Sequence, residues 1–167
     1  GEAERAFNIA LGTESNNRQF GPDGKPLTSP KGAIGIAQVM PDTAPEAAKL
    51  AGLPWDENRY KNDPAYNKAL GMAYFQRQLQ ENGGDLAKAY AAYNGGPGRL
   101  ADAIKQAEKS VKAAQADPNL KPKTWLDFMP QETRDYVAKN MRALEAGQGQ
   151  PNRPTFQEID DQLRADP

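Results

Sequence analysis

Apolar residues along this chain recur with the period of a helix almost everywhere, and Pro, Gly and Asn-Gly breaks cut the pattern into short pieces. Ala3, Phe7, Ala10, Leu11 and Glu14 fall at i, i+4, i+7, i+8 and i+11, one face of an α-helix. Asp63-Pro64 pairs an N-cap acid with a proline at the first helical position. The helix it opens, with Leu70, Ala73, Tyr74 and Phe75, stops at Asn82-Gly83-Gly84. Another runs from Asp85 to Tyr93 and breaks at Gly95-Gly96-Pro97-Gly98. Leu100, Ile104, Ala107, Val111 and Ala114 then form one stripe, ended by Asp117-Pro118. Pro130 opens a helix with Tyr136, Val137, Met141 and Leu144 inward, and Gly147 closes it. Thr43-x-x-Glu46 and Thr155-x-x-Glu158 have the form of capping boxes, the first for a short helix ending before Gly52. No segment alternates with period two for long enough to predict a strand, and no internal repeat is evident. The expected fold class is all-α. At 167 residues the chain fits one domain, with 15 Gly and 14 Pro implying substantial loops. Residues 1–146 read as that domain, and 147–167 as a linker followed by a short acidic helix.

Two zeros narrow the chemistry. The chain has no His and no Cys, so it cannot build a Ser-His-Asp triad, a Cys nucleophile, a His/Cys zinc site or a disulfide. Acid–base chemistry near neutral pH is left to carboxylates, Lys and Tyr. No metal or cofactor is expected. The 21 basic residues balance 22 acidic ones, which argues against a nucleic-acid partner, since that needs a basic face. The longest uncharged apolar stretch, near Gly32–Met40, is far too short for a bilayer span. The chain opens Gly-Glu, which leads us to expect a processed protein or an excised part of a larger parent chain.

Four places concentrate candidate chemistry. Glu14 lies on the apolar face at the C-terminal end of the first helix. Burial and the helix dipole both disfavour its charged form there, which would keep a proton available. The plainer alternative is a helix-terminal Glu turned to water. Gly32–Pro41 is apolar, with two glycines that permit close approach and one polar side chain, Gln38; it reads either as a ligand wall or as a buried turn. Tyr93-Asn94 before Gly95-Gly96 aims a phenol and an amide at one spot, a pairing suited to sugars, or else forms an ordinary C-cap. Glu132 stands in the first turn of its helix, where the dipole favours a carboxylate in any case.

Taken in order, these pieces resemble the catalytic domain of family 1 lytic transglycosylases. The matching residues are Glu14-Ser15, then Ser29-Pro-Lys-Gly32-Ala33-Ile-Gly35-Ile-Ala-Gln38-Val-Met40-Pro41 with Thr43-Ala44. Ala92-Tyr93-Asn94-Gly95-Gly-Pro-Gly98 follows, and then Pro130-x-Glu132-Thr133 with Tyr136-Val137. The resemblance covers about residues 1 to 145. It implies a lysozyme-like, goose-type helical fold, with residues 1–146 as the catalytic domain. It implies Glu14 as single catalytic acid/base, with Ser29, Gln38, Met40, Tyr93, Asn94 and Glu132 lining a glycan cleft. The implied partner is peptidoglycan, cut between N-acetylmuramic acid and N-acetylglucosamine to leave a 1,6-anhydro end.

Two departures from the family pattern stand out. Gly21-Pro-Asp-Gly-Lys-Pro26 reads as an inserted turn, whose Asp23 would serve as a second carboxylate if the reaction were hydrolysis. Asn16-Asn17 stands where a small or apolar residue is expected. The long first loop also resembles transglycosylase domains in virion proteins of tailed phages, which open the wall during genome ejection; a bacterial periplasmic enzyme is the other setting. A hydrolytic muramidase and a non-catalytic glycan-binding or virion-structural module are the rival functions.

Overall fold

The computed structural model describes residues 1–149 of the chain. The second capping box, at Thr155, and the expected acidic helix lie outside the described residues. Among those described, seven α-helices and one 3-10 turn follow in order. They are α1 (Glu2–Ser15), α2 (Ala44–Leu50), α3 (Glu57–Asn62), α4 (Pro64–Glu81), α5 (Leu86–Gly95), α6 (Pro97–Ala116), the 3-10 turn Trp125–Phe128, and α7 (Gln131–Gly149). The last helix runs two residues past Gly147, where the sequence leads one to expect its end.

The core is built around α5. Ala89, Tyr90, Ala91 and Ala92 are all fully buried, because α4, α6 and α7 pack on three sides of this one short helix. Alanines let those neighbours come close, and Tyr90 fills the remaining space. Its hydroxyl donates to Ala6 O of α1 at 2.6 Å, so the buried phenol keeps a partner. Phe75 packs tilted against its ring, centres 5.4 Å apart, and Phe7 and Tyr93 pack in turn against Phe75. Burying each such side chain contributes about 1.5–3 kcal/mol.

Local rules account for most helix ends. The Asp63 carboxylate accepts from Ala65 N and Tyr66 N, capping α4 as expected, and Asp56 and Asp85 cap α3 and α5 in the same way. The capping box at Thr43 does not form. Thr43 itself stands in the helical region, at φ −88° and ψ −26°, and not in the extended backbone from which an N-cap hydroxyl reaches the N–H three residues on, here that of Glu46. The α6 stripe is packed only in its first half: Leu100 is buried, whereas Val111 is exposed, beyond the reach of α5. Between α1 and α2 the chain makes only isolated bridges, Phe20 to Pro26, Thr28 to Ile34 and Ile34 to Val39, and no strand.

Candidate active site

At the end of α1 the chain must turn sharply without losing its last carbonyls. Asn16 and Asn17 do this in the left-handed conformation, at φ 55° and 61°, donating to Gly12 O and Leu11 O. Asparagine is the residue besides glycine that tolerates this geometry, which explains the Asn-Asn pair on physical grounds. The turn leaves Glu14 half-buried at the floor of a hollow of about 330 Å³.

Four of the expected residues meet Glu14 there: Ser29, Gln38, Asn94 and Glu132. Asn94, at the end of α5, spends its Oδ1 on the Thr133 hydroxyl at 2.9 Å, so its amide nitrogen is the end left for the Glu14 carboxyl. Ser29 Oγ accepts from Ala33 N at 3.0 Å and keeps its hydroxyl hydrogen to donate. Gln38 is held at φ 52°, and its Nε2 donates to Leu27 O at 3.1 Å and Gly35 O at 2.9 Å. Both its N–H groups are thereby used, and Oε1 is what remains for a ligand. Glu132 is largely exposed and lies 3.6 Å from Lys31, an ion pair joining the loop to α7.

Two expected residues stand elsewhere. Met40 is 39% exposed and outside the wall of the hollow. Tyr93 lies beneath it, because its ring packs with Phe7, Tyr74 and Phe75 and its hydroxyl donates to Ala37 O at 2.5 Å. Asp23 lies away from Glu14, beside a different hollow of about 740 Å³. Its carboxylate accepts from Lys25 N at 3.0 Å, as an Asp-Gly turn requires.

The structure adds Thr13, Asp135, Tyr136 and Lys139 to the wall. Positions 132, 135, 136 and 139 are i, i+3, i+4 and i+7 of α7, one helix face, and that spacing is the signal in the sequence that identifies them. Tyr136 is buried edge-on against Tyr90 at 6.0 Å. Its hydroxyl lies close enough to act on the Glu14 carboxyl but completes no hydrogen bond of ordinary length and angle.

The electrostatics single out Glu14. Burial pushes its pKa from 4.5 up to about 7; the Tyr136 and Asn94 side chains hold it down, and the negative charge of Glu132 raises it further. Burial, with the Glu14 charge second, raises the Tyr136 hydroxyl well above its ordinary value, so it stays a neutral donor. A half-protonated acid beside two neutral donors can give a proton and then be stabilised as an anion.

Comparison with known proteins identifies the family and the fold. Residues 20–116 match the family model described as the transglycosylase SLT domain. That span contains Ser29, Gln38 and Asn94 and excludes Glu14 and Glu132. The soluble lytic murein transglycosylase of Escherichia coli K12 is 32% identical over 122 residues, covering 72% of this chain and 17% of that protein. The chain thus corresponds to about a sixth of the length of such relatives. Among solved structures, the 70-kDa soluble lytic transglycosylase of Escherichia coli superposes with a TM-score of 0.62 at 30% identity, covering 84% of this chain and 21% of that one. An inactive Glu-to-Gln variant of the lytic transglycosylase Slt of Pseudomonas aeruginosa gives 0.66 at 26% identity, covering 92% and 24%. The helical, lysozyme-like fold expected above is the fold the chain has.

Proposed function

Because the chain belongs to the transglycosylase SLT domain family, we propose that it cleaves peptidoglycan glycan strands as a lytic transglycosylase with Glu14 as its single acid/base. The observation that carries this reading is the Glu14 carboxyl, half-buried in the hollow with a pKa of about 7 beside Asn94 and Tyr136. Protonated, it donates to the glycosidic oxygen as the bond to the muramic C1 breaks. The substrate's own N-acetyl carbonyl supports the oxocarbenium-like centre. Ionised, and steadied by Asn94 and Tyr136, Glu14 takes the proton of the muramic 6-hydroxyl as that oxygen bonds to C1. The proton returns to Glu14, water is not consumed, and the product is a 1,6-anhydro end.

Ser29, Gln38, Asn94 and Glu132 contact the sugars, with Gln38 Oε1 accepting from a hydroxyl or amide N–H. Met40 and Tyr93 act from the edge and from beneath. The separation of Asp23 from Glu14 supports the lyase over a hydrolase that would use Asp23. The Pseudomonas aeruginosa relative, whose inactive form differs by a Glu-to-Gln change, supports a glutamate as the essential group in the family. The setting we propose is a virion protein of a tailed phage, in which this domain opens the host wall at the periplasm as part of a longer chain. It rests on the long loop between Glu14 and Ser29, and peptide mass spectrometry of purified virions tests it.

Release of soluble fragments from purified peptidoglycan tests the activity. The parent chain is expected to release them. Glu14→Gln is expected to release none while still co-sedimenting with the polymer, and a Gln variant as active as the parent refutes the assignment.

A further inference from the structure

The stretch 34–39 brings Gln38 to the hollow beside Ser29 and belongs to no helix or sheet; backbone bonds pair Ile34, Gly35 and Gln38 N–H, and the N–H groups of Ile36 and Ala37 need partners from elsewhere. Buried side chains supply them. Gln19 Oε1 accepts from Ile36 N at 2.9 Å, and its Nε2 donates to Tyr60 O at 3.3 Å and Lys61 O at 2.9 Å. Asn67 Oδ1 accepts from Ala37 N at 2.9 Å, and its Nδ2 donates to Ile34 O at 3.1 Å and Tyr60 O at 2.9 Å. Gln19 is 5% and Asn67 0% exposed, and all their polar atoms are engaged. Both amides press on Gly35, at φ 82°. A Cβ there would lie 2.3 Å from Asn67 Nδ2 and 2.7 Å from Gln19 Nε2. Gly35 O in turn holds the Gln38 amide. Neither Gln19 nor Asn67 lines the hollow itself.

We infer that Gln19 and Asn67 are positioning residues for glycan cleavage, a pair of carboxamides that clamps Ile34–Ala37 and so fixes where Gln38 presents Oε1. The inference rests on the glycan-cleaving reading above. Its physical basis is that Gln38 sits in a left-handed conformation, which persists only when the surroundings over-determine it. A clamp reaching the loop from α4 and from the segment after α1 also explains how an apolar loop with two glycines keeps one shape.

Gln19→Met preserves length and apolar bulk and removes three hydrogen bonds. A wall shifted by an ångström is expected to lower kcat/KM by about tenfold to a hundredfold. Amide exchange at Ile36 should accelerate while Leu70 and Ala91, inside helices, keep their parent rates. The discriminating control is Gln38→Gly, since glycine accepts φ 52° without the side chain. In that background Gln19→Met should cost less than about twofold, because its effect passes through Gln38. An equal loss with and without Gln38, or unchanged exchange at Ile36, overturns the inference. If the parent chain releases no product, the cleavage reading fails, and exchange at Ile36 still decides whether the clamp exists.

Discussion

Glu14 is held in a state that costs stability, and the cost depends on pH in a definite way. Its pKa is about 7 in the folded chain against 4.5 ordinarily. The folded chain therefore keeps this proton longer than the unfolded chain does. Sign follows directly: the carboxyl's favourable contribution is fully present below pH 4.5 and is lost as pH rises through 7. A gap of about 2.5 pH units corresponds to about 3.4 kcal/mol at its limit. Glu14→Gln replaces the acid with a neutral isostere and escapes the penalty. Linkage gives the variant an advantage of about 0.8 kcal/mol at pH 5 and about 3.3 kcal/mol at pH 8. At this chain length the pH 8 difference is a rise in Tm of roughly 7–13 °C. Urea unfolding of both proteins at the two pH values measures it. An advantage that does not grow between pH 5 and pH 8 would refute the claim that burial holds the proton on Glu14.

Three further outcomes follow from named contacts. Cleavage of peptidoglycan should fall as pH rises through about 7, because the proton donor is lost; a rate profile flat from pH 6 to 9 contradicts this. Gly71→Ala places a Cβ 2.4 Å from Ala37 Cβ and 2.9 Å from the Tyr93 hydroxyl. Overpacking of α4 against the loop should cost about 2 kcal/mol in urea unfolding. Tyr93→Phe leaves Ala37 O without its donor and should lose about 1–3 kcal/mol of stability together with activity, so a variant of unchanged stability would remove Tyr93 from the account.

The helices were legible because their punctuation is local. Asp63-Pro64, Asn82-Gly83-Gly84 and Asp117-Pro118 each act on the backbone of their immediate neighbours, and the helix ends fall there. The helix α3 escaped because six residues show no periodicity. Its one buried residue, Tyr60, is placed by a hydrogen bond to Val39 O in another segment. Thr43 shows the limit of a motif: the pattern is present, but Thr43 is already in helical backbone, so its hydroxyl does not cap the N–H of Glu46. Of the site, the residues on either side of Glu14 could be named because each sits at a helix end or a glycine turn. Tyr136 read as core, which it is, while its hydroxyl reaches Glu14. Gln19 and Asn67 carried no signal, since a buried amide gains meaning only from the distant carbonyls it faces. Tyr93 was legible as important, but its position beneath the wall depends on the packing of Phe7 and Phe75.

In the proposed reaction one half-buried carboxyl, Glu14, both gives and takes the proton, with the 6-hydroxyl as nucleophile. Mass spectrometry of the ends released from purified peptidoglycan tests it most directly, with Glu14→Gln in parallel. The parent chain is expected to give 1,6-anhydro-muramic ends and the variant none. Reducing ends would contradict it and turn attention to Glu132 and Asp135, the carboxylates that share the hollow with Glu14, for a water-activating base.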